Sequence, residues 1–370
     1  MKSPNETIVT VTGATGYLAT HILHFLLAQG YQVRGTVRDP EAVRTEHLNE
    51  PEEFCPEMRE SGGTLTLYTC DLTIEGSFDE AIAGADYVMH TASPCLLDVS
   101  KVRKPQEIVD TAVAGVTNVI AAVEKTDTVK RVILTSSSTA LYHEPRDKKS
   151  RIFDENDWNE RSTIHSNVYF KSKVEEEKVA WELKKKATKN WEMSALLGSV
   201  LLGPSKHPRP SKGSYGYMTA FLSGIFKYGP NMILGWTDVN DFARLHVLAM
   251  QHEKVFERII CINEILSLQQ MGKMVKKNFK KQRFPVPQMS FPGCFYLPFT
   301  FKFVRVFNTP FLPMLKQQIH NCDPRLNFNR SILEEHFQFE YSSIEQSVVD
   351  MVQSCIDNDM IPYKRQCIFC

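Results

Sequence analysis

The sequence predicts an α/β fold, a Rossmann-type doubly wound parallel sheet with a smaller, discontinuous carboxyl-terminal substrate lobe. Three observations carry this expectation. Short β-rich runs alternate with helix-patterned stretches over the first two-thirds of the chain, the order of βαβ units. A glycine-bearing turn, Gly13-Ala14-Thr15-Gly16, stands between the first run and the first helix pattern. Regular patterning then fades over residues 203–236, which are rich in Pro, Gly and aromatic side chains, and a second lobe is expected to begin there.

In chain order, strands are expected over residues 7–12, 31–37, 65–68, 86–90, 129–135 and 193–202. A helix over 17–29 carries Leu18, Ile22, Phe25 and Leu26 on one face. Another is expected over 238–251, followed by an irregular stretch over 265–322 and a last helix over 343–358. The domains read as 1–202 with 237–264 returning to it, a lobe of 203–236 and 265–345, and a terminal helix and tail over 346–370. No internal repeat is evident.

Composition narrows the class. The 370 residues are 42% hydrophobic and 23% charged, an ordinary globular balance that excludes disorder and fibrous repeats. Lys+Arg and Asp+Glu are 43 each, so the chain as a whole is not built to meet nucleic-acid phosphates. No apolar run is long enough to span a membrane. Nine scattered cysteines and a start, MKSPNETIVTVTG, without a basic-then-apolar leader fit a reduced, cytoplasmic setting.

The turn at Gly13 to Gly16 lets backbone approach a pyrophosphate, while the start of the following helix attracts its charge. Ala19 takes the third glycine position and is small enough to keep helix and strand close. The second strand ends at Val37-Arg38-Asp39-Pro40. An acid at this tip would bind a ribose 2′-hydroxyl, whereas Arg38 suits a 2′-phosphate, so NADP(H) is the expected cofactor. Asp39 reads as a turn residue before Pro40. Arg44 reads equally as a second positive contact or an exposed helix charge.

Tyr169 and Lys173 lie four apart at the start of a helix pattern and share one face. An ammonium fixed beside a phenol favours its phenolate, which turns a weak acid into a usable proton relay. Upstream, the fifth strand runs into Thr135-Ser136-Ser137-Ser138, placing a hydroxyl at the carboxyl end of a strand, where open α/β sheets bind ligands. Such a hydroxyl can hold a carbonyl oxygen while the tyrosine protonates it.

These residues carry a resemblance. VTGATGYLA (11–19), YQVRGTVRDP (31–40), CDLTIEGSFDEAI (70–82), HTASP (90–94), VKRVILTSSS (129–138) and VYFKSKVEEEKVAW (168–181) resemble the extended short-chain dehydrogenase/reductases. Within them the chain looks like the dihydroflavonol reductase, cinnamoyl-CoA reductase and yeast methylglyoxal reductase group. The resemblance implies a catalytic Ser137, Tyr169 and Lys173. It implies cofactor contacts at Gly13, Thr15, Gly16, Tyr17, Leu18 and Arg38. Further contacts would be Asp71 and Leu72 at the adenine, and Thr91, Ala92 and Ser93 beneath the ribose and pyrophosphate. Tyr169, Lys173 and Gly198 would meet the nicotinamide end.

Departures from the group bear on specificity. Gly198 stands where the family usually has Pro, and Tyr142 where the dihydroflavonol enzymes have Asn. The cinnamoyl-CoA reductase run Asn-Trp-Tyr-Cys-Tyr is replaced by Asn167-Val168-Tyr169-Phe170-Lys171. Asp241 is expected to cap a helix, and His143 and His165 to be ordinary loop residues. The expected activity is NADPH-dependent reduction of a carbonyl, or its reverse. The alternatives are an epimerase or dehydratase holding its nicotinamide tightly, and a non-catalytic NADP-binding sensor.

One stretch is unusual. Residues 265–322 contain nine Lys and Arg, nine Phe and no acid, so the rest of the chain carries the compensating negative excess. The Phe residues are expected to line a large apolar pocket for a small carbonyl or alcohol substrate. The alternative is peripheral contact with anionic membrane, helped by a lipidated Cys367 in the terminal Cys367-Ile368-Phe369-Cys370.

Overall fold

In the computed structural model, residues 2–42, 45–94, 104–150, 152–207, 213–227, 232–288 and 325–361 are described. Seven parallel strands form the main sheet: β1 (Ile8–Val11), β2 (Gln32–Val37), β3 (Thr64–Thr69), β4 (Tyr87–His90), β5 (Arg131–Ser137), β7 (Glu192–Gly198) and β10 (Arg258–Ile260). Their spatial order is β10-β7-β5-β4-β1-β2-β3. The chain therefore winds one way from β1 through β3 and the other way from β4, opening a crevice at the carboxyl ends of β1 and β4. Val11 pairs with Gly35 on one side and Met89 on the other.

Helices of eight or more residues are numbered α1 (Tyr17–Ala28), α2 (Pro105–Glu124), α3 (Val168–Lys185), α4 (Ser214–Leu222), α5 (Val239–Gln251), α6 (Leu268–Asn278) and α7 (Ile344–Asp357). The chain reaches α1 through Gly16, and α1 packs with α5 on one face of the sheet. Ile22, Leu23 and Leu26 of α1 share that core with Phe242 and Leu245 of α5. On the other face α2 packs with α3, burying Val116, Val119 and Ala180 against Val88, Val132 and Leu134. Burial on both faces explains why these strands read as continuous apolar runs rather than alternations.

A smaller sheet, β11-β9-β8, comprises β8 (Val200–Leu202), β9 (Ile233–Asp238) and β11 (Glu264–Ser267). It packs with α4, α6 and α7 around Tyr215, Phe221, Trp236, Met271 and Met351. β6 (Ile152–Phe153) pairs with β12 (Asn327–Phe328). Two phenols meet one carbonyl where the chain enters the smaller lobe: Tyr17 Oη donates to Gly203 O at 2.9 Å and Tyr215 Oη to the same oxygen at 3.1 Å.

The structure corrects three sequence expectations. The run over 193–202 is two strands, β7 in the main sheet and β8 in the smaller one. Gly198 still pairs with Ser137, but Val200 pairs with Trp236, so the chain changes sheets at Ser199 and apolar content does not register the bend. Residues 268–278 are helical rather than irregular. Ser267 accepts from Gln270 N and Gln270 caps in return, and Leu268, Met271, Gly272 and Val275 form a buried face that the surrounding lysines obscured. Asp241 does not cap α5. Asp238 does, accepting from Asn240 N at 2.7 Å, while Asp241 accepts from Ser342 N at 2.6 Å and Ser342 Oγ at 3.0 Å.

In the described part of the basic stretch, Phe279 and Phe284 are buried in the smaller lobe's core, and Lys277 pairs with Glu345 at 2.8 Å. Residues 289–322 and the Cys367 tail lie outside the described residues, as does Arg44. Among the described residues, no helix is long and apolar enough to cross a membrane.

Candidate active site

The crevice is built from the strand ends. Gly13 adopts φ +70°, and a Cβ there would stand 3.0 Å from that of Ala92, so the turn after β1 can approach the β4 end only as glycine. Gly13 N donates to Thr36 Oγ1 at 3.1 Å and Ala14 N to Thr36 O at 2.9 Å, fixing the turn to β2. Thr15, Gly16, Tyr17 and Leu18 follow into α1, whose first N–H groups no helical carbonyl can reach.

Thr12 ties the other side. Its Oγ1 accepts from Thr91 N at 3.1 Å and Ala92 N at 3.0 Å, and it lies 2.9 Å from His90 Nδ1. With two N–H bonds already accepted, the Thr12 hydroxyl hydrogen goes to Nδ1, so the His90 proton sits on Nε2. That Nε2 is buried and has no hydrogen-bond partner among the described residues. Burial, reinforced by the Lys173 charge, lowers the His90 pKa to about 3.

Arg38 is exposed immediately beyond β2. Asp71, at the β3 end, accepts from Thr73 N at 2.8 Å and Thr73 Oγ1 at 2.6 Å. Those bonds, more than the Arg38 charge, hold its carboxyl below the usual range. Leu72 packs on α2, where a Cβ on Gly115 would meet its Cδ2 at 2.7 Å. Asp39 accepts from Glu41 N at 2.9 Å, a turn contact.

At the β5 end the three serines separate. Ser136 Oγ donates to buried Glu177 at 2.5 Å, and Glu177 accepts from Arg258 Nε at 2.6 Å. Ser137 Oγ accepts from Thr139 N at 3.2 Å, capping the short turn Ser138–Ala140 against which α3 packs. Ser138 is buried. Asn167 caps α3 by accepting from Phe170 N, and so places half-buried Tyr169 in the first turn.

Lys173, one turn on, is only 4% exposed. Its Nζ donates to Thr135 O at 2.9 Å and to Glu176 Oε2 at 2.5 Å, with the Ser93 hydroxyl facing the same carboxyl. Ser137, Tyr169 and Lys173 thus belong to one junction of β5 with α3. Gly198 lies across from Ser137 in β7, and a Cβ on it would stand 2.6 Å from the Phe242 ring. Phe242 occupies the space beside this backbone, which accounts for a residue without a side chain at that position.

Tyr142 is buried against Phe153 and Phe328, with ring centroids at 4.9 and 5.6 Å, and burial raises its pKa. His143 Nδ1 lies 2.8 Å from Ser162 Oγ, and His165 is exposed. The sequence reading missed Glu176, His90 and Phe242. Glu176 had a visible signal, its i, i+3 spacing from Lys173, but a run of three glutamates reads as a solvated helix face.

Comparison with known proteins places these features. Residues 9–262 match the model of the NAD-dependent epimerase/dehydratase family. The chain is 32% identical over 289 residues to cinnamoyl-CoA reductase 1 of Petunia hybrida, covering 78% of this chain and 81% of that one. It is 30% identical over 291 residues to dihydroflavonol 4-reductase of Solanum lycopersicum, covering 76% and 72%. The structure of Gre2 in complex with NADPH from Candida albicans matches at a TM-score of 0.73 and 25% identity, over 95% of this chain and 99% of that one.

Proposed function

Since the chain belongs to the NAD-dependent epimerase/dehydratase family, and resembles its extended short-chain reductases, we propose that it reduces a ketone or aldehyde to the alcohol with NADPH, or runs the reverse. The observation that carries this is Lys173, a buried ammonium anchored to the β5 end one helical turn from Tyr169.

The residues at the crevice suit a phosphorylated dinucleotide. The Gly13 turn has no room for a side chain, and an exposed Arg38 stands where a 2′-phosphate would be met. Backbone at Gly13, Thr15, Gly16, Tyr17 and Leu18 would face the pyrophosphate. Asp71 and Leu72 would border the adenine, and Thr91, Ala92 and Ser93 the ribose floor. Gly198 would meet the nicotinamide amide. When bound, the reduced nicotinamide supplies the hydride.

Ser137 and Tyr169 then hold the carbonyl oxygen. As the carbon gains hydride, Tyr169 Oη gives its proton to that oxygen, and solvent restores the proton. Lys173 steadies the phenolate left behind and offers a hydrogen bond to a ribose hydroxyl. Ser137 fits the role better than its neighbours, because Ser136 is committed to Glu177 and Ser138 is the more deeply buried of the other two, 2% exposed against 7% for Ser137.

The test is a panel of carbonyl compounds read by NADPH absorbance, with Tyr169→Phe as control. Consumption by the wild type and loss of at least a hundredfold in the variant are expected. Comparable turnover by both would remove the assignment.

A further inference from the structure

Three glutamates follow one another on α3, and each meets a different partner. Glu175 pairs with Lys171 at 2.6 Å on a half-exposed side. Glu177 is buried and neutralised by Arg258 of β10, with Ser136 of β5 donating to it. Glu176 is just as buried, 2% exposed, and its carboxylate contacts the ammonium of Lys173.

A carboxylate in contact with an ammonium cancels much of the field that the ammonium exerts on a third group. Here the third group is Tyr169, which shares the helix face of Lys173. We propose that Glu176 is a positioning residue that, as counter-ion of Lys173, keeps Tyr169 protonated and biases the site toward carbonyl reduction. This rests on the reading of Ser137, Tyr169 and Lys173 given above.

Two features support it. Lys173 is held at two points, Thr135 O and Glu176, which leaves one of its three hydrogens for a ribose hydroxyl. Glu176 therefore leaves that hydrogen available but offsets the positive charge the ammonium would present to an anionic cofactor. Among the described residues, no other carboxylate contacts Lys173 to replace the lost charge if Glu176 is neutralised. Glu177 is already matched by Arg258, His90 of β4 is held neutral by burial, and Ser93 carries no charge. Burial also favours the protonated form of Glu176, against the pull of Lys173.

The proton balance gives the direction. Reduction takes the Tyr169 proton to the carbonyl oxygen, whereas alcohol oxidation needs the phenolate to accept the hydroxyl proton as hydride leaves for NADP+. An unopposed Lys173 ammonium stabilises that phenolate at lower pH.

The experiment is Glu176→Gln, which keeps shape and removes charge. In alcohol oxidation the acid limb of the kcat/KM profile should move about one pH unit toward acid, the size of a unit charge removed a short distance away. Independently of turnover, NADPH should bind several-fold more tightly by fluorescence titration at neutral pH. Glu176→Met, of similar volume, should show the same two changes and serves if the Gln variant does not fold.

An unmoved limb and unchanged affinity in a folded variant, with Tyr169→Phe inactive, would overturn this inference alone. Lower kcat and stability without a moved limb, the mark of a merely structural role, would overturn it too. Turnover by Tyr169→Phe would instead remove the triad reading beneath it.

Discussion

The ammonium of Lys173 lies 2.9 Å from the carbonyl oxygen of Thr135, so the last turn of β5 backbone and one face of α3 are joined by a charged hydrogen bond. Lys173→Met breaks that bond and leaves Glu176 buried without its partner. Turnover should fall more than a hundredfold, and stability by about 3 kcal/mol in urea unfolding. Adding Glu176→Met should restore most of the stability and none of the activity, which a double-mutant cycle would read directly.

Arg38 stands exposed at the tip of β2. Arg38→Ser should weaken NADPH far more than NADH, by about tenfold to a hundredfold, the worth of one or more charge-assisted hydrogen bonds. The ratio of kcat/KM for the two cofactors is the measurement, and an unchanged ratio would place the 2′-phosphate elsewhere.

At Gly198 the Phe242 ring leaves no room for a methyl group. Gly198→Ala should cost about 1–3 kcal/mol through overpacking. Gly198→Ala combined with Phe242→Leu should recover part of that cost, and thermal unfolding of the two variants compares them.

Three buried histidines contribute to the loss of stability in acid. Burial lowers His21 and His246 to about 4 and His90 to about 3. Unfolding returns each to an ordinary histidine that binds a proton below about 6.5. The unfolded state therefore gains protons first as pH falls. Stability is full above pH 6.5 and declines below it until the folded pKa values are reached, by roughly 1.4 kcal/mol per pH unit for each group. Urea unfolding between pH 7 and 4.5 should show this slope, and His246→Gln should reduce it. His246 is the informative choice because it links Thr135 Oγ1 to Phe242 O and lies off the crevice.

Much of this architecture was legible because βαβ units announce themselves through spacing. The glycine turn, Arg38 at a strand tip and the Tyr169/Lys173 pair are local patterns, each readable within a few residues. What stayed hidden depended on distant partners. The sheet change at Ser199 is decided by whether Val200 continues the β5 register toward Thr139 or pairs with Trp236, and β10 is three residues long with no pattern of its own. Glu176 looked like surface because burial of a carboxylate beside Lys173 follows from α3 lying against β5 and α2, which no local window contains. Asp241 is a similar case. Its partner Ser342 is 101 positions away.

The shared carbonyl of Gly203 has a consequence for chimeric enzymes. Tyr17 belongs to the first helix after the nucleotide turn and Tyr215 to the smaller lobe, yet both phenols fasten one oxygen, on a residue whose φ of +122° only glycine adopts without strain. The seam between the two halves is thus keyed by three residues from three segments. A smaller lobe grafted from a relative should seat on this main-sheet half only if it brings a glycine and a phenol to meet Tyr17. The two parts should exchange only as a matched set, and a graft that respects sheet boundaries but ignores this key should misalign the smaller sheet on the main one.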